Sequence, residues 1–258
     1  MPRLDDKIVV VTGSTSGIGK GIAEHFASLG AKVLVSGRDL ERGVEVIETI
    51  EKGGGEADFF EADLAVANQC KQLVEYAVQR FGGLDILVNN AADTSRGSVE
   101  DTPLDLWDRI ININLRAPFI LLQSAIEPMT RRGGGSVVNI GSVNAYVGEP
   151  KLFAYSVSKG GLMTLTKNAA SQLARRKIRV NCINVGWTLT EGEMKVKKLE
   201  GKGEEWIEEA VATRPFGRML YPRDIAHAAA YFAGDASECV SGTIMDLEQY
   251  PVGAPPNF

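Results

Sequence analysis

Two histidines, three cysteines and no apolar run of membrane-spanning length set the first limits on this 258-residue chain. With only His25 and His227 there is no HExxH, and Cys70, Cys182 and Cys239 are too far apart for CxxC, so no metal site is expected and Ser/His/Asp chemistry has few candidates. The three thiols read as buried and free, the two histidines as helix-packing or surface residues. A membrane span needs about 20 apolar residues and none is present. The opening, MPRLDDKIVVVTG, passes from two acids into a valine-rich run without the apolar stretch of a signal peptide, so no membrane partner and a cytoplasmic location are expected. Positive charge is also in deficit. Lys and Arg number 28 against 33 Asp and Glu, a net charge of −5, which argues against a nucleic-acid platform.

What is present is 44% hydrophobic residues and 28 glycines, the composition of an ordinary globular domain rather than a disordered or collagenous chain. A chain of this length buries roughly three quarters of its unfolded surface and needs no disulfide. Strand-length apolar runs stand at 8–12, 32–36, 58–61, 86–89, 136–140, 179–184 and 243–246, most of them continuously apolar, as in strands covered on both faces. Helical periodicity fills 17–29, 40–52, 66–81, 103–115 running on toward 129, 155–174 and 222–234. The alternation predicts an α/β fold, a doubly wound parallel sheet of seven strands with helices on both faces, in one domain spanning 1–258. The Glu/Lys-rich segment at 188–217 reads either as a solvated helical surface or as a substrate lid.

The first strand runs into VVVTGSTSGIG, with glycines at 13, 17 and 19 opening the first helix. Glycines there permit a tight turn, a close backbone approach to a pyrophosphate and close helix–strand packing, and the helix N-terminus favours phosphate. A GxxxxGK[ST] nucleotide-hydrolase loop cannot be threaded through these residues. The second strand ends at Gly37, followed by Arg38 and Asp39. A carboxylate at that place binds the ribose hydroxyls of NAD, and a guanidinium pairs with the 2′-phosphate of NADP. Arg38 stands nearer the strand end, so NADP is expected over NAD, the alternative being a plain solvated helix cap.

Tyr155 and Lys159 in AYSVSKGGL are four apart and share a helical face. A phenol titrates near ~10, and a neighbouring ammonium is expected to lower that value and make Tyr155 a general acid or base. Ser142 ends the fifth strand, on the edge where parallel sheets place ligands, and its hydroxyl is positioned to share the same substrate oxygen.

These motifs, in order and spacing from Asp6 to about Asp246, closely resemble the short-chain dehydrogenase/reductase family. TGSTSGIG looks like its cofactor loop, Asp63 in EADL like its adenine-side residue, NNAA (89–92) like its NNAG turn, and NVGWTLT (184–190) like its nicotinamide segment. The resemblance implies a Rossmann-like fold, hydride transfer between a nicotinamide and an alcohol or carbonyl carbon, and a homo-oligomer, a tetramer or a dimer. It implies Ser142, Tyr155, Lys159 and Asn114 as catalytic residues, with Lys159 also on the nicotinamide ribose and Asn114 holding a relay water. It further implies cofactor contacts from Gly13, Ser14, Ser16, Gly17, Ile18, Gly19, Asp63, Leu64, Asn90, Ala91, Tyr155, Lys159, Gly186, Thr188 and Thr190, beside Arg38.

Three departures from the family pattern stand out: Ala92 for the last glycine of NNAG, Val185 for the proline before Gly186, and Glu248-Gln249-Tyr250 where Asp-Gly-Gly is usual. The last of these bears on the usual tetramer contact and on the rear wall of the pocket. Polar residues after strands four to six, Asp93, Thr94, Arg96, Asn144, Tyr146, Glu149, Trp187, Glu191 and Glu193, favour a small-molecule substrate such as a sugar or polyol over a long acyl chain. A 3-oxoacyl-type or other ketone reductase and a non-catalytic NAD(P)-binding regulator are the competing readings. Keeping Ser142, Tyr155 and Lys159 together argues against the regulator.

Overall fold

Residues 3–253 are described by the computed structural model. Strands β1 (Ile8–Thr12), β2 (Lys32–Gly37), β3 (Glu56–Glu61), β4 (Ile86–Asn89), β5 (Gly135–Ser142), β6 (Ile178–Val185) and β7 (Ile244–Leu247) form one sheet in the order 3-2-1-4-5-6-7, with every pairing parallel. Alternate side chains of a strand enter opposite layers. Val9, Val11, Val33 and Val35 join one core beneath α1 (Gly17–Ser28), α2 (Leu40–Lys52) and α9 (Pro222–Ala233). Ile8, Val10 and Leu34 join the other, beneath α3 (Ala67–Phe81), α5 (Ala117–Arg131) and α6 (Phe153–Leu173). Burial on both faces is why these strands read as unbroken apolar runs.

The expected strands all form, with β2, β3, β5 and β6 longer than read. Val185 contributes to that extension. It pairs with Ser142 on one side and Leu247 on the other, a ladder position that a proline, lacking its N–H, serves poorly. The expected long helix at 103–129 is interrupted: α4 (Leu104–Ile111) passes through a π-helical turn at Asn112–Arg116 into α5. The 188–217 segment holds two helices, α7 (Glu191–Leu199) and α8 (Glu205–Ala212). They differ in anchorage, because α8 buries Trp206 and Ala210 in a small cluster with Met219 while α7 buries no residue.

Strand order reverses between β1 and β4, whose outgoing connections leave in opposite directions and open a crevice at their carboxyl ends. Among the described residues no helix is long and apolar enough to cross a membrane, and no group of three or more metal-ligating side chains comes together. Cys70 and Cys182 are buried as expected, but Cys239 is exposed. His25 of α1 and His227 of α9 pack edge to face at a centroid distance of 4.8 Å.

Candidate active site

The turn after β1 is built against the turn after β4. Gly13 and Gly17 have φ of +62° and +55°, which glycine adopts without strain, and a Cβ on Gly13 would lie 2.8 Å from Ala91 Cα. A Cβ on Gly19 would meet the Gly13 carbonyl and the Asn90 amide. Thr12, which the sequence reading did not single out, organises the junction: its Oγ1 donates to the Val88 carbonyl at 3.2 Å and accepts from the Asn90 and Ala91 amides at 3.0 and 3.1 Å. Asn90 Nδ2 donates to the Thr12 and Gly13 carbonyls at 2.8 and 3.1 Å. Asn90 thereby shapes the loop.

Ser14, expected at the cofactor, is fully buried and its hydrogen-bonding capacity is turned inward. Its Oγ donates to the Val11 carbonyl at 2.6 Å and accepts from Ser36 N at 2.9 Å, fastening the turn to the end of β2. Its side chain therefore belongs to the scaffold. Beyond β2, Asp39 caps α2, accepting from Arg42 N at 3.1 Å and pairing with the Arg42 side chain at 3.3 Å. Arg38 is exposed and, among the described residues, meets no carboxylate. Asp63, half-buried, accepts from Ala65 N at 2.9 Å, and Leu64 beside it is buried. Thr190 caps α7 and lies 3.7 Å from where a Gly17 Cβ would stand, so the start of α7 abuts the glycine turn. A tight turn with glycines at 13, 17 and 19, opening a helix at the carboxyl end of β1, fits a nicotinamide dinucleotide.

Tyr155 in the first turn of α6 lies close enough to Ser142 at the end of β5 for the serine hydroxyl to favour its ionised form. Ser142 Oγ accepts from Asn144 N at 3.2 Å, which sets its rotamer. Burial pushes the Tyr155 phenol above its ordinary value, while the Ser142 hydroxyl and then the charge of Arg96 act to lower it. Arg96 is a positive charge at the phenol that the sequence reading did not place there. Lys159 is buried, its Nζ donates to the Ile140 carbonyl at 2.7 Å and stands 5.6 Å from the Tyr155 ring centroid, and burial lowers it to about 8. Its charge is anchored at the strand within reach of the phenol ring, and Arg96 adds a second positive charge that favours the phenolate. Burial also lifts the nearby Cys182 thiol to about 12, so it stays neutral.

Asn114 lies in the π turn, where its side chain is fully engaged: Nδ2 donates to the Asp93 carbonyl at 3.0 Å and to Ser158 Oγ at 3.1 Å, and Oδ1 accepts from Asp93 N at 2.8 Å. It binds the segment after β4 to α6. Buried Asn139 and Thr166, absent from the expected set, link the same elements through Asn89 of the NNAA turn. Asn89 Nδ2 donates to Asn139 Oδ1 at 2.8 Å, and Asn139 Nδ2 donates to Thr166 Oγ1 at 2.9 Å. An asparagine inside the apolar run VVNI was the available signal.

The expected pocket residues divide. Asp93 is buried and accepts from Ser95 Oγ at 2.6 Å, Trp187 Nε1 donates to Glu193 at 2.9 Å, and Tyr146 is drawn to Asp246 and Asn184 at the far edge of the sheet. The unusual C-terminal residues grip the return from α8. Gln249 Nε2 donates to the Arg218 carbonyl at 2.6 Å, Tyr250 Oη donates to the Thr213 carbonyl at 3.1 Å, and Glu248 pairs with Arg214 at 3.6 Å. Glu248 also fills the space that a Cβ on Gly186 would need, and Gly186 N donates to the Leu247 carbonyl at 2.9 Å. Thr188 is buried, its Oγ1 donating to the Gly186 carbonyl at 3.1 Å.

Comparison with known proteins agrees with this geometry. The family described as enoyl-(acyl carrier protein) reductase matches residues 13–248. An uncharacterised oxidoreductase of Thermotoga maritima is 42% identical over 233 residues, covering 90% of each chain. The Sus scrofa protein named dehydrogenase/reductase SDR family member 4 is 35% identical across 93% of this chain and 85% of its own. A single-substitution variant of actinorhodin polyketide ketoreductase, solved with NADPH, superposes with a TM-score of 0.90 at 30% identity, over 96% of this chain and 98% of that one. Likeness of this extent, on a seven-stranded parallel sheet, makes the chain a member of the short-chain dehydrogenase/reductase family and an NAD(P)-dependent oxidoreductase.

Proposed function

We propose that this enzyme moves a hydride between NADP, preferred to NAD, and the carbinol or carbonyl carbon of a small polar substrate, with Tyr155 as acid/base. The nearness of Ser142 and Tyr155 at the carboxyl edge of β5 carries the reading, because two neighbouring hydroxyls there suit one substrate oxygen. When bound, the nicotinamide supplies the hydride donor or acceptor. The chain's own residues do the rest. Ser142 orients the substrate oxygen, Tyr155 exchanges the proton with it, and Lys159 offers its remaining N–H donors to the nicotinamide ribose. Asn114 keeps the segment after β4 against α6 and the relay water in place. The turn at Gly13, Gly17 and Gly19, together with Ser16 and Ile18, receives the pyrophosphate, and Arg38 pairs with the 2′-phosphate. Asp63, Leu64, Asn90 and Ala91 border the adenosine side, and Gly186, Thr188 and Thr190 the nicotinamide side.

The whole chain acts as one domain, and α7 is the part of the 188–217 segment free to close over the site, since it buries nothing while α8 is anchored. The half-exposed Phe119 of α5 and Val157 of α6 suit an interface with another copy in a cytoplasmic homo-oligomer, a dimer or a tetramer. A second reading, an acyl-chain ketone reductase, draws on the acyl-carrier description of the matching family. The polar residues after β4, β5 and β6 favour the small substrate.

The test follows nicotinamide absorbance across sugars, polyols, small ketones and an acyl thioester, with both cofactors. Tyr155→Phe is expected to reduce kcat by about 10²–10⁴-fold. Turnover that survives this substitution overturns the role of Tyr155.

A further inference from the structure

Charged residues that this machinery does not use meet where the segment after β4 approaches the start of α6. A backbone bridge joins Gly97 to Leu152: Gly97 N donates to the Lys151 carbonyl at 2.9 Å and Phe153 N donates to the Gly97 carbonyl at 3.2 Å. Phe153 begins α6, so the bridge fastens the segment after β4 to the helix that carries Tyr155 and makes Arg96 and Lys151 neighbours. Arg96 Nε stands 3.9 Å from Glu200 Oε1, at the end of α7. Glu200 also accepts from Lys197 Nζ at 2.7 Å and lies within the field of Lys151. A carboxylate from α7 thus rests among three cations, one of which also acts on the Tyr155 phenol.

The two partners differ in how firmly they are held. The main chain at Arg96 is held by the bridge next to it and its Nη1 donates to the Thr94 carbonyl at 3.2 Å, whereas Glu200 caps the helix that buries nothing. Their side chains are 34% and 38% exposed and the pair is loose, so a surface ion pair of this kind is readily exchanged. A guanidinium, by contrast, can take a carboxylate through two parallel hydrogen bonds.

Resting on the reading of Tyr155 above, we propose that Arg96, assisted by Lys151, seats a carboxylate of the substrate, and that Glu200 is the internal carboxylate that it displaces. The substrate is then a small hydroxy or oxo acid, and its arrival frees the end of α7. The occupant already in the seat is itself a carboxylate, which is why this anion is named ahead of phosphate.

The test uses the NADP-loaded protein in two arms. In the binding arm, calorimetric titration compares propanoate, propanamide and inorganic phosphate on wild type, Arg96→Ala, Arg96→Lys and Glu200→Gln. Propanoate is expected to bind and propanamide not, with Arg96→Ala weakening propanoate about tenfold or more, Arg96→Lys restoring part of it and Glu200→Gln tightening it about two- to fivefold. In the turnover arm, 3-hydroxybutanoate against 2-butanol and gluconate against sorbitol give an acid-to-alcohol ratio of kcat/KM, expected to fall about tenfold or more in Arg96→Ala. Equal binding of propanoate and propanamide, binding of phosphate alone, or a ratio unmoved by Arg96→Ala overturns the proposal. Arg96-dependent binding of propanoate without turnover of any acid or alcohol supports the seat and overturns the reaction assigned to Tyr155.

Discussion

Lys159 donates to the backbone carbonyl of Ile140 at 2.7 Å, tying α6 to β5 two residues before Ser142. The bond holds the Tyr155 helix at a fixed height on the sheet. It also places an ammonium in a buried setting with a neutral acceptor.

A pH dependence of stability follows. Burial holds Lys159 at about 8, against an ordinary value of 10.5. Below about pH 8 both folded and unfolded chains carry the proton and the fold bears the full burial cost; between about 8 and 10.5 only the unfolded chain does, so this group's contribution to stability rises with pH. The rise is on the order of 3 kcal/mol. Tyr155, raised by burial, works the other way above about pH 10. Urea unfolding of Lys159→Met between pH 7 and 10 is expected to lack that rise, and a variant with the wild-type profile would exclude Lys159 as its source.

Arg38 and Asp39 are adjacent but separable. Arg38→Ala is expected to raise the KM for NADP about 10–100-fold with little effect on NAD, through loss of a charge-assisted pair. Asp39→Ala removes the α2 cap and is expected to cost about 1 kcal/mol of stability while leaving the KM for NADP unchanged. Steady-state kinetics with both cofactors and a denaturation curve read the two effects independently.

Gly19 and Gly160 form an opposed pair. A Cβ at Gly19 meets the backbone carbonyl of Gly13, so Gly19→Ala is expected to cost about 1–3 kcal/mol and to weaken cofactor binding. A Cβ at Gly160 would find only the Ala145 carbonyl, at an ordinary 3.7 Å, and Gly160→Ala is expected to stabilise α6 by about 0.4–1 kcal/mol. Thermal unfolding with and without NADP distinguishes them.

The chain of bonds from Asn89 through Asn139 to Thr166 is buried throughout. Asn139→Leu strands the Asn89 amide and is expected to cost about 1–3 kcal/mol, more than Thr166→Val, which leaves the partner amide a single bond short. Equal losses in urea denaturation would mean the two bonds do not act as a chain.

Element identity was legible because strand and helix periods are local. The ends of β5 and β6 were underestimated because pairing with neighbouring strands, rather than their own residues, carries them to Ser142 and Val185. The place of Ser14 in the glycine turn is visible in the sequence, while Ser36, which fixes its side chain, comes from the neighbouring strand and is not. Thr12 passed unnoticed for the same reason, since its three partners come from the strand and turn of β4.

The amino-acid order by itself determined the alternation of strands and helices, the glycine turn and the four-residue spacing of Tyr155 and Lys159, because each depends on neighbours within a few positions. Only the tertiary structure decided where the charges act. It gave the Lys159 ammonium to Ile140, brought the charge of Arg96 to bear on the phenol and brought Glu200 to Arg96, since the field at a buried or half-buried group is the sum over residues that the sheet order and the Gly97–Leu152 bridge gather from remote parts of the chain.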